Sequence, residues 1–257
     1  MTFALNLNCD SDVSAHIDFV ELRTRELVVN SSRHRARRPD VLVHGVGVCD
    51  APASHIDPVS GELEKLPSYA TWTNMLARCY SPTVQARHPT YIGVTVCPEW
   101  LHFSNFKTWF DDNYMHGYEM DKDILVPGNR VYGPTTCCYL PGWMNNLITD
   151  GIAARGATPL GVHYAVRDKK FVAQCHIDGK QHFLGYFANP SEAHRAFQVA
   201  KADAVEATIR RYTTEESVIS LAVVKALHAY ADRLRADAAL GIETLGYSTF
   251  QPLKEAI

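Results

Sequence analysis

Residues Gly161 to Asp203 read GVHYAVRDKKFVAQCHIDGKQHFLGYFANPSEAHRAFQVAKAD, and this stretch decides the fold of the second half of the chain. Alternation of apolar and polar residues, broken by turn residues, predicts three strands at Gly161 to Arg167, Phe171 to Ile177 and Gln181 to Phe187. The breaks are Asp168-Lys169-Lys170, Asp178-Gly179-Lys180 and Asn189-Pro190. In the middle strand Phe171, Ala173, Cys175 and Ile177 fall on one face, with Gln174 and His176 on the other. Pro190 and Ser191 then open a helix on which Ala193, Ala196, Phe197 and Ala200 recur at helical spacing, small enough to lie close on a sheet. One sheet face is thus expected to be covered and the other free.

Charge sharpens this expectation. Between Arg155 and Tyr212 stand nine Lys and Arg against five Asp and Glu, within a chain of net charge −3. A basic segment in an acidic protein points to a polyanion partner for that segment. The bland alternative is a small α+β domain with a solvated charged face.

The motifs GV, FVAQCHI, LGYF and EAHRAF, in this order, resemble the plant ethylene-response-factor (Apetala-two type) DNA-binding domain. Members of that family lay a three-stranded sheet in the DNA major groove. The resemblance puts His163, Arg167, Lys170, Gln174, His176 and Phe183 on the groove side, with Lys169 and Lys180 of the turns as further DNA contacts. Where the plant domain uses several arginines this chain has His163 and His176, so a changed base preference and a pH-sensitive affinity are expected.

A second organised region lies between Gly45 and Asp150. Ser68 to Tyr80 reads as an amphipathic helix with Tyr69, Trp72, Met75 and Leu76 on one side. Tyr91 to Val96 is a strand candidate. Pro98 to Asp111 is a second helix, burying Trp100, Phe103, Phe106, Trp109 and Phe110. Then come a strand carrying Asp121 and Asp123, a turn at Pro127-Gly128-Asn129, a return strand near Cys137 to Leu140, and a short helix carrying Asn145 and Asn146.

The patterns W-x-x-M-L-x-R-C-Y from Trp72, Y-x-G-V-x-V-C-x-E-W-x-x-F-x-x-F from Tyr91 and D-K-D-I-L-x-x-G-N-x-x-Y-x-P-x-T-C from Asp121 resemble bacteriophage proteins related to His-Asn-His (HNH) homing endonucleases. Such proteins often carry the Apetala-two type module behind the nuclease-like part, the order found here. The resemblance implies a ββα site holding one Mg²⁺ or another divalent metal. It puts Asp121 at one metal-ligand position, Asn145 or Asn146 at the second, and Asn129 in the connecting loop. Lys122 stands where the general-base histidine is expected. A lysine at neutral pH is a cation that pairs with phosphate, so the base would come from Asp123, from His102 or His116, or from metal-activated water.

The expected architecture is α+β, an HNH-like ββα region plus a three-stranded antiparallel sheet packed on one helix, with a C-terminal helix. The expected divisions are an arm over 1–44, the nuclease-like region over 45–150, the DNA-binding module over 151–212, and a helix and tail over 213–257. In the last of these, Thr213-Thr214-Glu215-Glu216 reads as a helix start and Gly241 as its end. Its apolar stripe, with Leu221, Val224, Leu227, Ala231 and Leu234, admits a homodimer but is too short and irregular for a coiled coil.

The 257 residues, 46% hydrophobic, can bury one sizeable core or two modest ones. No apolar run approaches the ~20 residues of a membrane span, and MTFALNLNCDSDV lacks the features of a signal peptide, so a host cytoplasmic protein of phage or prophage origin, with no membrane partner, is expected. Seven cysteines at irregular spacing read as reduced thiols, with Cys79, Cys97 and Cys137 as an alternative zinc set. The arginine-rich stretch Ser31 to Asp40 reads either as a mobile phosphate-binding arm or as a solvated linker. Three functions follow: a double-stranded DNA-binding endonuclease, a nuclease-derived protein that binds DNA without cutting, or a phage protein that binds a host protein.

Overall fold

The structure, a computed structural model, describes residues 41–148 and 157–249. The arginine-rich stretch at 31–40 lies outside them. The fold is α+β, with six α-helices and several small sheets among the described residues. None of these helices is long and apolar enough to cross a membrane. The chain divides into two compact units, residues 41–92 with 98–108, and residues 93–97 with 109–249.

In the first unit a two-stranded hairpin, β1 (Ser54–Ile56) and β2 (Leu63–Lys65), precedes helices α1 (Pro67–Tyr80) and α2 (Pro82–Arg87). Helix α1 starts on Pro67, whose missing N–H costs nothing at that position, and buries Tyr69, Trp72, Met75, Leu76 and Cys79, the stripe its spacing predicts. Trp72 sits in contact with the Phe103 ring, centroids 5.3 Å apart, and its Nε1 donates to the Trp100 carbonyl at 2.7 Å. The helix expected over 98–111 is divided. Pro98–Leu101 form a 3₁₀ turn, and α3 (Phe103–Asn113) begins only after His102. Asp50 explains the restart: its carboxylate takes the Ser104 N–H at 2.8 Å, the Ser104 hydroxyl at 2.9 Å and His102 Nδ1 at 3.0 Å, capping the new helix.

In the second unit β3 (Thr95–Val96) is the part of the expected strand over 91–96 that forms, and it pairs in parallel with β5 (Val131–Tyr132). Strand β4 (Tyr118–Asp121) runs antiparallel to β6 (Cys138–Pro141), and β6 leads directly into α4 (Gly142–Asn145). Strand β4 ends at Asp121, so Asp123 lies beyond it. Three strands, β7 (Val162–Ala165), β8 (Lys170–Ile177) and β9 (Lys180–Phe187), form an antiparallel sheet in the order β7-β8-β9. Helices α5 (Pro190–Glu215) and α6 (Leu221–Leu240) follow. Asn189 caps α5, its side chain accepting the Glu192 N–H at 2.9 Å, and Gly241 closes α6 in the left-handed conformation.

Thr213-Thr214-Glu215 are the last turn of α5 and do not start the next helix; Ser220 is the N-cap of α6. Tertiary contact overrides the local signature here. Tyr212 is buried, and its hydroxyl receives the Ser220 N–H at 2.9 Å, which ties the turn between the helices to the end of α5. The central core of this unit joins Ile124, Leu140, Met144 and Ile148 to Ala202, Val205, Ile209 and Tyr212 of α5 and to Val223, Leu227, Tyr230, Ala231 and Leu234 of α6. One core therefore spans residues on both sides of the expected division at 150.

Candidate nucleic-acid interface and the strand-loop-strand-helix segment

Gly161 opens the sheet with φ +70°, and a Cβ there would meet the Phe197 ring at 2.0 Å. The sheet lies on α5 at that point closely enough to exclude any other residue. Val162, Ala173 and Ala193 form one buried cluster with Phe171, Leu184, Phe187 and Ala196 packed around it, and Leu160, Cys175 and Phe197 form a second. One face of the sheet is thereby covered.

Residues paired across antiparallel strands share a face. On the uncovered face the register aligns His163 with Val172 and Tyr186, Ala165 with Lys170, Gln174 with Phe183, and His176 with Gln181. A β-bulge makes this arrangement. Ala173 pairs with Gly185 but Gln174 pairs with Phe183, so Leu184 is an extra residue on β9. Gly185, at φ +142°, supplies the backbone conformation. Without the bulge Phe183 would share the side of Phe187, which packs on the helix. With it Phe183 and Tyr186 meet on the open face, ring centroids 5.1 Å apart, 61% and 52% exposed.

His163, Lys170, Gln174, His176 and Phe183 thus sit together on this face, and all but the half-buried Gln174 are exposed. Arg167 and Lys169 lie at its edge in the β7–β8 turn, where Lys169 adopts φ +52°. Lys180 falls elsewhere: it pairs with Ile177, on the helix-covered side, at the far end of β8. Tyr186 and Gln181 are face residues that sequence reading missed, and strict alternation along β9 hides Tyr186.

No residue that the register places on the open face carries a carboxylate, and among the described residues Arg167, Lys169 and Lys170 have no ion pair or hydrogen-bond partner. Cations on the helices are used differently. Lys201 is buried and donates to the Leu147 carbonyl at 2.6 Å, and Arg195 donates to the Ala238 carbonyl at 2.9 Å. Arg211 pairs with Glu215 at 2.8 Å and lies 4.0 Å over the Trp143 ring, while Arg235 pairs with Asp203 at 3.2 Å. Of the described cations that contribute to the local positive excess, Arg167, Lys169 and Lys170 stand together without a partner at the β7–β8 turn, with Asp168 among them, and Lys180 and Arg210 are likewise unpaired elsewhere.

The β4–β6–α4 segment has the order strand, loop, strand, helix. Asp121 ends β4, and its Oδ1 accepts the N–H groups of Asp123 at 2.8 Å and Ile124 at 2.7 Å, which turns the chain out of the strand. Burial raises the Asp121 carboxyl above its ordinary range, and these two amide bonds oppose the rise without cancelling it. Lys122 is buried; its Nζ donates to Asp123 Oδ1 at 2.5 Å and to the Asn129 carbonyl at 3.2 Å, with the Tyr132 ring 5.9 Å away. Both of these bonds hold Lys122 within its own loop.

Asn129 closes the loop: its Nδ2 donates to the carbonyls of Lys122 at 2.9 Å and Val131 at 2.7 Å, and its Oδ1 accepts the Val131 N–H at 3.1 Å. Asn145 Nδ2 donates to Glu119 Oε2 at 2.9 Å. Glu119 is a second residue that sequence reading passed over, two positions before Asp121 on β4. Asn146 begins the 3₁₀ turn Asn146–Ile148. Of the two histidines considered as substitute bases, His102 is bonded to Asp50 and His116 is exposed in the turn before β4.

No disulfide joins the six cysteines of the described residues. Burial pushes the Cys137 thiol up to about 12 and also raises the Cys138 thiol. The one grouping of three His, Cys, Asp or Glu side chains at metal-binding separation among the described residues contains no cysteine.

No family model, no curated protein and no solved structure matches the chain.

Proposed function

We propose that this protein binds double-stranded DNA with the open face of β7–β9. The observation that carries the reading is the concentration of unpartnered Arg167, Lys169 and Lys170 beside a face that has exposed aromatics and polar groups but no carboxylate. Such a face offers cations for phosphates and His163, Gln174, His176, Phe183 and Tyr186 for base edges and thymine methyls. In this reading the β4–β6–α4 segment is a nuclease-like ββα scaffold that supports α5 and α6 through the shared core and does not cut.

A second reading, metal-dependent phosphodiester hydrolysis, is favoured by one feature of the same segment. Both amide bonds to Asp121 use Oδ1, and Asn145 is engaged through Nδ2, so Asp121 Oδ2 and Asn145 Oδ1 remain available as oxygen donors of the kind Mg²⁺ takes. A metal held there would polarise the phosphate and supply an activated water. Lys122 then serves the loop and not the chemistry.

Fluorescence anisotropy with duplex DNA over a salt series tests the first reading. Binding is expected to weaken steeply with salt, and Arg167→Ala with Lys170→Ala is expected to lower the log–log slope by about 2 and the affinity at least tenfold. Unchanged affinity in the double variant rejects the sheet as the interface. Incubation with supercoiled DNA in Mg²⁺, Mn²⁺ or EDTA, beside Asp121→Asn, separates the two readings. Nicking that needs metal and is lost in the variant establishes hydrolysis; binding with no nicking in either metal establishes the scaffold.

A further inference from the structure

Hairpin β1–β2 carries side chains that neither reading uses. His55 and Glu64 are direct partners across its two strands, so they share a face. Asp57 follows His55 by two positions, and the bond from its N–H to the Glu62 carbonyl, 2.8 Å, continues the ladder and keeps it on the same side. A ring nitrogen of His55 and one carboxylate oxygen each from Asp57 and Glu64 lie within 4.8 Å of one another.

Asp57 is already set in place. Its Oδ1 accepts the Ser60 N–H at 2.6 Å and the Val59 N–H at 2.9 Å, and these bonds, Ser60 first, hold its carboxyl below the ordinary range. His55 supplies an independent sign of a missing ligand. Its Nδ1 is shut off from solvent and has no hydrogen-bond partner among the described residues. Buried polar atoms are nearly always partnered, and one that is not points to something the hairpin has yet to bind.

We propose that His55, Asp57 and Glu64 form a binding site for a zinc-class divalent cation. One imidazole nitrogen and two carboxylate oxygens suit Zn²⁺ better than Mg²⁺ or Ca²⁺, which prefer oxygen alone. Three protein ligands leave a fourth position for water, as in open zinc sites. Tetrahedral Zn²⁺ brings its ligand atoms to about 3.4 Å from one another. Glu64 is exposed and free to swing over that remaining distance. The cation would clip the two strands together next to the tight turn at Asp57 to Glu62.

The test is calorimetric titration of Zn²⁺ into the full-length protein after EDTA stripping, repeated with Glu64→Gln and His55→Gln. One equivalent is expected to bind at the hairpin with an affinity that falls at least tenfold in each variant. Absence of saturable binding up to millimolar Zn²⁺, or binding unaltered in either hairpin variant, overturns the site. If His55→Gln does not fold, Glu64→Gln decides alone, since its exposed side chain supports no core.

Discussion

In the β7–β8 turn and at the first residue of β8, Arg167, Lys169 and Lys170 end in solvent with no partner, while from Glu119 to Asp123 each charged side chain is bonded to another group of the protein. Both regions are short, charged and built on antiparallel strands. The difference lies in where the backbone's own needs are met. The sheet satisfies its amides through strand pairing and leaves its side chains for another molecule. The loop after β4 has no partner strand for Asp123 and Ile124, so Asp121 takes their N–H groups and Lys122 and Asn129 hold the return of the chain. Charge in a segment is therefore weak evidence of a site until the backbone around it is accounted for.

The largest effect that would break this comparison comes from removing the sheet from the rest. A fragment spanning 151–212 exposes Ala202, Val205, Ile209 and Tyr212, which share a core with Leu140, Met144 and α6. It is expected to show no cooperative thermal transition by circular dichroism, whereas 109–257 is expected to retain one. A folded fragment would show the sheet to be an independent module.

Next in size is Asp121→Ala. It leaves two amides without their acceptor, at a cost of roughly 1–3 kcal/mol after relief of a buried charge, read from urea unfolding. DNA affinity measured where the variant is folded is expected to be unchanged. Asp121→Asn keeps an oxygen for the amides and sharpens the point through pH. A carboxyl whose folded pKa is raised binds its proton in the folded state first, so its contribution to stability increases as pH falls through the raised folded value toward the unfolded value of ~3.9. The Asn variant is expected to lose that slope and to be no less stable than the parent at pH 7.

A smaller effect is expected on the open face. Phe183→Ala and Tyr186→Ala are each predicted to weaken duplex binding by about 1 kcal/mol while shifting stability by less than ~0.5 kcal/mol, because both rings are more than half exposed. If Tyr186→Ala binds normally while Phe183→Ala does not, the bulge arranges one contact and not a pair.

Much of the scaffold was legible in advance. Turn residues at Asp168, Asp178 and Asn189 bound the three strands to within a residue or two at most ends, and helix α1 follows the stripe Tyr69, Trp72, Met75 and Leu76. The misreadings share a cause. Thr213 to Glu216 carry a local signal for a helix start, yet buried Tyr212 holds them at a helix end; Pro98 to Asp111 carry one aromatic period, yet Asp50, distant in the chain, caps a restart at Phe103. Local patterns report what neighbouring residues prefer, and these outcomes turn on a partner elsewhere.

The sequence by itself determined the order of strands and helices from Gly161 onward, the covering of one sheet face by α5, the stop at Gly241 and the basic turn, because periodicity, turn chemistry and charge are properties of adjacent residues. Tertiary structure alone decided that Leu184 bulges and turns Phe183 and Tyr186 to the open side, that Asp121 Oδ1 and Lys122 Nζ are bonded within their own loop, and that residues on both sides of position 150 share one core. Each of these depends on strand register or on contact between residues far apart in the chain, and a side chain's freedom to act is settled only once the backbone it folds against has taken the hydrogen bonds it needs.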